Sequence, residues 1–183
     1  MKRFSFLVMI VLTIILQVDF VLAWQVRHTL KGLVEISPLI ITGKVSQVSS
    51  RIETEGEREV VYTYVTIETE SILKGELDKP VLNVKMLGGL VDNKGGWSEE
   101  WIPFTKEEEV LLFLHPKDKA NNIWEIKSIS GKLSAVKINE IQYFDCSMLR
   151  NDEVSQYVTN PNFEQKIIID RINDYLLQEK GGN

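Results

Sequence analysis

Between Val60 and Leu73 the chain alternates for longer than an ordinary strand: Val61, Thr63, Val65, Ile67 and Thr69 share one face, and Tyr62, Tyr64, Thr66 and Glu68 the other. A strict period of two does not fit a helix, whose apolar positions recur every three or four residues, so the segment reads as a strand with one buried face. Further strands surround it. Leu39 to Val45 is rich in β-branched residues and passes into alternation towards Val48, before a polar stretch, Ser49 to Arg58, that reads as a loop. After the turn residues Lys74-Gly75-Glu76, Val81 to Leu87 places Val81, Asn83, Lys85 and Leu87 opposite Leu82, Val84 and Met86, and Gly88-Gly89 breaks the pattern. Val110 to Leu114 is uniformly apolar and is expected to be a strand buried on both faces. Trp124 to Ile129 and Leu133 to Ile138 flank Gly131 and read as a hairpin. About six short strands with no helix between them predict a mainly β domain, an antiparallel sandwich or barrel.

Helices are expected only at the ends. Thr29 to Glu35 is a short candidate, with Leu30 and Leu33 three apart, and it must stop before Ser37-Pro38 because the residue preceding proline is pushed out of the helical region. The second, about 161–180, has Asn160 as its cap and Pro161 at its first position. Ile168, Ile172, Tyr175 and Leu176 make its apolar stripe, and Gly181-Gly182 stops it. Such a stripe serves the chain's own core by covering the sheet or one barrel end; a partner-binding helix is the alternative.

Residues 1–23 read as an address. Lys2 and Arg3 precede the uncharged run Phe4 to Leu16, and Val21-Leu22-Ala23 suits a signal peptidase, so the expected mature chain begins at Trp24 and spans 24–183 as one domain. A membrane anchor over Phe4 to Ala23 is the rival reading, but Gln17 and Asp19 shorten the apolar run below the roughly 18–20 residues that a crossing needs. No stable membrane insertion is therefore expected after cleavage. Of 183 residues 44% are hydrophobic, enough for a real core, and a single cysteine excludes a disulfide-stapled scaffold. Cys146 is expected to be a buried small hydrophobe. The net charge of −5 argues against nucleic acid and anionic membrane as partners, because both need a basic face.

Catalytic motifs are scarce. The two histidines, His28 and His115, belong to no motif, and the sequence has no GxSxG, Walker-type loop or HExxH. Glu107-Glu108-Glu109 lacks the alternation and glycine of a calcium loop and reads as a solvated run protecting the apolar strand from aggregation. No cofactor or metal is expected. The stretch from Gly88 to Trp101 is the better functional candidate: Trp97 and Trp101 flank Glu99 and Glu100, and Gly88, Gly89, Gly95 and Gly96 disfavour a regular buried strand. The tryptophans either fold back over the barrel end or anchor a partner.

The succession Pro38-Leu39-Ile40-Ile41-Thr42-Gly43-Lys44-Val45, Tyr62-Thr63-Tyr64-Val65-Thr66-Ile67, Ile72-Leu73-Lys74-Gly75, Leu87-Gly88-Gly89, Pro103-Phe104 and Glu109-Val110-Leu111-Leu112-Phe113-Leu114 resembles a family of uncharacterised secreted bacterial proteins. More distantly it is similar to the netrin-like domain of the tissue inhibitors of metalloproteinases. The resemblance covers about residues 29–138 and implies an OB-fold, a five-stranded antiparallel barrel. The inhibitors chelate a protease zinc through a disulfide-tethered N-terminal cysteine. Here Trp24 stands at the expected N-terminus and no disulfide is possible, so that mechanism does not carry over. The bacterial relatives tend to have glycine where this chain has Glu107.

The reading is a secreted, non-enzymatic OB-like barrel of five to six strands, with a short N-terminal and an amphipathic C-terminal helix. Its expected task is recognition of a protein partner, a secreted protease among the candidates, through loops that include Gly88, Gly89, Trp97 and Trp101. Carbohydrate or small-ligand binding in the barrel groove, by stacking on an exposed Tyr62 and Tyr64, is the alternative. A hydrolase using His28 or His115 comes last.

Overall fold

The computed structural model describes residues 27–92, 94–97, 101–150 and 162–181, with the side chains of Lys94, Trp97 and Asn162 excepted. The expected leader 1–23, Trp24, Glu99, Glu100, Asn160, Pro161 and Gly182 lie outside the described residues. The chain is mainly β. Helix α1 (Leu30–Ile36) precedes β1 (Leu39–Glu55), β2 (Arg58–Lys74), β3 (Val81–Val91), β4 (Lys94–Trp97), β5 (Glu109–Asp118) and β6 (Ile123–Glu125). A single 3-10 turn, Ile129–Gly131, leads to β7 (Lys132–Ile138), β8 (Ile141–Asp145), β9 (Asn162–Glu164) and helix α2 (Gln165–Gly181).

Five strands close on themselves in the order β1-β2-β3-β6-β5 and back to β1. All these pairs are antiparallel except β3 with β6, where Asn83 and Val84 face Ile123 and Trp124 in parallel register. Closure needs β1 to bend, because it pairs with β2 along its length and with β5 only from Leu39 to Lys44. Register shifts at Ile40/Ile41, Thr42/Gly43 and Val45/Gln47 supply the bend. Past the last of them β1 and β2 run on as a hairpin that turns at Gly56-Glu57. Glu107 enters the β5 edge with φ of 70°, a left-handed conformation that glycine adopts without steric cost.

Two cores share β5. Val110, Leu112 and Leu114 point into the closed circuit with Leu39, Ile41, Val45, Val65, Ile67, Leu82, Val84, Met86, Ile102 and Trp124. Leu111 and Phe113 point the other way, into a second core with Ile40, Leu133 and Phe144. Leu30, Leu33 and Val34 of α1 and Ile168 and Ile172 of α2 complete that second core. Helix α1 starts where Thr29 Oγ1 accepts the Gly32 N–H at 3.0 Å, and it stops at Ser37, before Pro38. The stripe of α2 is as the spacing predicts, with Ile168 and Ile172 fully buried and Tyr175 and Leu176 partly so. Cys146 lies in the second core, where burial and then Asp145 push its thiol up to about 12.

Several local expectations are corrected. Ser49 to Glu55 is not a loop but the second half of β1, where Arg51, Glu53 and Glu55 alternate with Ile52 and Thr54. Gly88-Gly89 does not end β3, which continues to Val91 and pairs with β4. Strand β5 runs past Leu114 through Pro116, opposite Trp124, with a register shift before Asp118 that accommodates the missing proline N–H. Strands β6 and β7 do not form a hairpin with each other, since each pairs with β5 and Gly131 is packed against Phe113 and Ile126. Strands β8 and β9 were not expected, and residues 162–164 are strand rather than the first turn of the helix.

Double burial makes neighbouring residues of β5 equally sensitive. Leu111→Ala and Leu112→Ala are each expected to cost about 2–5 kcal/mol in urea unfolding. A near-neutral effect at either position would refute the two-core arrangement.

Candidate functional site

The outer face of β2 and β3 belongs to neither core. Cross-strand register assembles a cluster there, with Arg51 of β1 opposite Tyr62 and Lys85 of β3 opposite Tyr64. Lys85 Nζ lies 3.8 Å above the Tyr62 ring and 5.5 Å from that of Tyr64. Arg51 stacks on Tyr64 with its guanidinium carbon 4.0 Å from the ring centre, and Lys117 Nζ stands 5.7 Å from the Tyr62 ring. Both phenols are tied down, Tyr62 Oη donating to Glu55 at 2.6 Å and Tyr64 Oη to Glu53 at 2.5 Å. Glu53 also accepts from Lys85 Nζ at 2.6 Å and from Arg51 Nε at 2.8 Å.

Glu53 is the electrostatic centre of this cluster. Hydrogen bonds from Lys85 and then Tyr64 hold its carboxyl at about 2, against an ordinary 4.5. The Glu55 bond, followed by burial, raises the Tyr62 phenol above its usual value. The result is a cluster of tyrosine, arginine and lysine whose polar groups are bonded to Glu53 and Glu55. Tyr62 is not the exposed ring that sugar stacking requires, since it is only 7% exposed beneath Lys85. Tyr64 is half-buried under Arg51.

The glycine corner adjoins this face. Tyr62 is in register with Leu87, and Gly88 with Trp97, so five of the six expected site residues gather on β2, β3 and β4, while Trp101 follows four residues after Trp97 and is partly buried. Thr63, between the two tyrosines but facing inward, donates to the Gly88 carbonyl at 2.7 Å. That uses its one proton, so Ser50 Oγ at 2.9 Å donates to Thr63. Gly89 sits over this pair with φ of 135°, and a Cβ there would lie 2.4 Å from Thr63 Oγ1 and 2.5 Å from Ser50 Oγ. Glycine is required at that spot by both backbone and space.

The other sequence candidates disperse. The His28 backbone joins Ser130 and Arg150. His115 sits in β5, and burial and then Lys127 lower its pKa. Glu107, Glu108 and Glu109 engage three different groups: Lys44 at 2.7 Å, Lys132 at 2.7 Å and Gln142 at 2.9 Å. Lys132 also donates to the Pro103 carbonyl and lies 4.4 Å from the Phe104 ring, which fixes the segment before β5. No three of His, Cys, Asp and Glu converge as metal ligands among the described residues. Sequence reasoning missed Arg51, Glu53, Glu55, Lys85 and Lys117, although the alternation of Arg51, Glu53 and Glu55 was a usable signal.

Two measurements probe the site. Gly89→Ala is expected to cost about 1–3 kcal/mol or more, whereas Gly96→Ala, with open space around its position, stays within about 0.5 kcal/mol; equal effects would contradict the close approach. Because the Glu53 carboxyl is depressed in the folded chain, its contribution is fully present above about pH 4.5 and is lost as pH falls towards 2. The stability gap between wild type and Glu53→Gln in urea titrations is therefore expected to shrink over that window, and a gap independent of pH would refute the assignment.

Among the described residues no helix is long and apolar enough to cross a membrane. A scan against protein-family models and a search of curated proteins both find no match, so the functional reading rests on the geometry of the site itself.

Proposed function

We propose that the chain is a secreted, non-enzymatic recognition protein whose closed circuit is an OB-like barrel, and that it docks a folded protein partner on the outer face of β2 and β3. The observation that carries this reading is the fixed Tyr62-Tyr64-Arg51-Lys85 cluster. Tyrosine and arginine dominate the energetic centres of protein interfaces, and side chains already held by hydrogen bonds lose little further freedom on binding.

Two further features support it. In OB barrels the face of the second and third strands, with the loops between strands one and two and between four and five, carries the ligand. Around this circuit those positions correspond to the β2–β3 face, the Gly56-Glu57 turn and the turn between β5 and β6. The opposite flank, at β1 and β5, is buried beneath α1, α2 and Leu133 of β7 and is closed to a partner. The leader-like segment 1–23 supports export, and a secreted protease stays among the candidate partners.

The test uses a photoreactive amino acid at Leu87, which is exposed on the outer face opposite Tyr62, with the same residue at exposed Leu177 of α2 as control. Irradiation in the exported fraction is expected to give a discrete protein adduct from position 87 and none from 177. The same adducts from both positions, or none from 87, would overturn the proposal. A glycan array screened with the same protein is expected to be blank.

A further inference from the structure

Strand β1 is paired on both sides only as far as Lys44, where β5 leaves it. Beyond the bonds that Val45 makes with Glu107 and Glu108, no described strand meets its outer edge. From Gln47 to Glu55 the strand nevertheless continues in unbroken register with β2. At about 3.4 Å per residue that leaves a row of N–H and C=O groups about 30 Å long, the longest edge unpaired on one side among the described strands. Native edges are commonly blunted by lysine, proline or a bulge. This stretch has none of the three, and its charged side chains, Arg51, Glu53 and Glu55, are engaged on the outer face with Tyr62, Tyr64 and Lys85. Val48, Ser50 and Ile52 stand on the other face, opposite Val65, Thr63 and Val61. Val65 is fully buried, but at the free edge Val48 and Ile52 remain 39% and 40% exposed.

The edge is complementary to itself. When two identical edges pair antiparallel about a two-fold axis, one residue meets its own copy and its neighbours meet in exchanged order. An axis at Ser50 sets Val48 opposite Ile52 of the second copy and Ile52 opposite Val48, with Ser46 against Thr54, Gln47 against Glu53 and Ser49 against Arg51. Neighbouring registers are poorer. An axis at Arg51 or Glu53 sets like charges directly opposite each other, which is destabilising. One at Ser49 sets Val48 and Ile52 against serines, and one at Ile52 carries Val48 past the strand to the Gly56 turn.

We infer that this edge is an interface between two copies of the chain, in which β1 pairs antiparallel with β1 of the second copy, centred on Ser50, and Val48 and Ile52 pack across the seam. The open backbone groups supply the pairing, and the two apolar contacts fix its register. The seam lies in the plane of the sheet, so the outer face of β2 and β3 stays uncovered and the dimer carries two such faces side by side. The inference goes beyond the docking face proposed above and does not depend on it.

Sedimentation equilibrium of the purified chain over micromolar concentrations is expected to show a reversible shift from the mass of one chain to that of two. Combining Val48→Lys with Ile52→Lys sets like charges opposite each other twice across the seam, so this variant is expected to stay at the mass of one chain while its circular dichroism matches wild type. Cross-linking tests the register without relying on that variant. In the proposed pairing position 48 of one copy lies beside position 52 of the other, whereas the two copies of position 48 are about 14 Å apart. A short bismaleimide is therefore expected to join a mixture of Val48→Cys and Ile52→Cys chains into a mixed dimer, in higher yield than either variant gives alone; Cys146 is buried in the second core and does not compete. A mass of one chain at every concentration would overturn the inference. So would a lysine variant that is folded and still dimeric, or a mixture that cross-links no better than its components. Protection of the β1 amides from hydrogen exchange that arises only when the exported fraction is added would assign the edge to a foreign strand, and would overturn it as well.

Discussion

Everything in this fold depends on a stretch of β5 that has no surface of its own. The five residues from Val110 to Leu114 are at most 1% exposed, and they alternate between two cores. A closed circuit of five strands can bury only the inward half of such a strand. The outward half, Leu111 and Phe113, needs a second layer, and the C-terminal third of the chain with α1 provides it. Burial of large apolar side chains at about 25 cal/mol per Å² is the dominant favourable contribution available to such a domain. The closed circuit and the C-terminal layer therefore share their buried surface through β5 and β7.

That arrangement covers one flank of the circuit and leaves another to polar side chains. With the β1–β5 flank covered, the outer face of β2 and β3 carries polar and charged side chains in place of a third core. Its cluster is unusual in being self-satisfied: each phenol has a carboxylate, and Glu53 serves Lys85, Tyr64 and Arg51 together. Shared acceptors of this kind polarise one another, so the bonds to Glu53 reinforce each other. The same strand holds it in place from within, because Thr63, buried between the two tyrosines, bonds to Ser50 and to the Gly88 carbonyl. A surface built on strands whose opposite faces are packed is more precisely placed than one built on a free loop.

The sequence revealed what depends on periodicity. The alternation of β2, the apolar run of β5, the stop of α1 before Pro38 and the stripe of α2 follow from local patterns, and the structure has them where the pattern puts them. What it concealed depends on partners distant in the chain. Arg51, Glu53 and Glu55 read as loop because charge masks alternation in a strand whose outer face is polar. Lys85 read as one more polar position of β3, because only register brings it over Tyr62. Gly88-Gly89 read as a strand break, since nothing local shows that Thr63 and Ser50 await the backbone there. The missed hairpin partner of β7 has the same origin: Gly131 looked like a turn but is a close contact with Phe113 and Ile126.

Glu107 shows how the two levels meet. Its left-handed backbone is an unfavourable place for a side chain with a Cβ, yet its carboxylate reaches Lys44 across the seam where β1 and β5 close the circuit. Backbone bonds Val45 N–H to the Glu108 carbonyl and Glu107 N–H to the Val45 carbonyl lie at the same seam, at 2.9 and 2.8 Å. Glu108 then ties to Lys132 at the start of β7, and Glu109 to Gln142 of β8. The three acids that looked like a solvated run thus join the circuit to its covering layer one residue at a time. Each is held by a different element, and only Glu107 is exposed, so a solvated run describes neither their exposure nor their order. That order follows from the strand they introduce, whose residues face the two cores in turn.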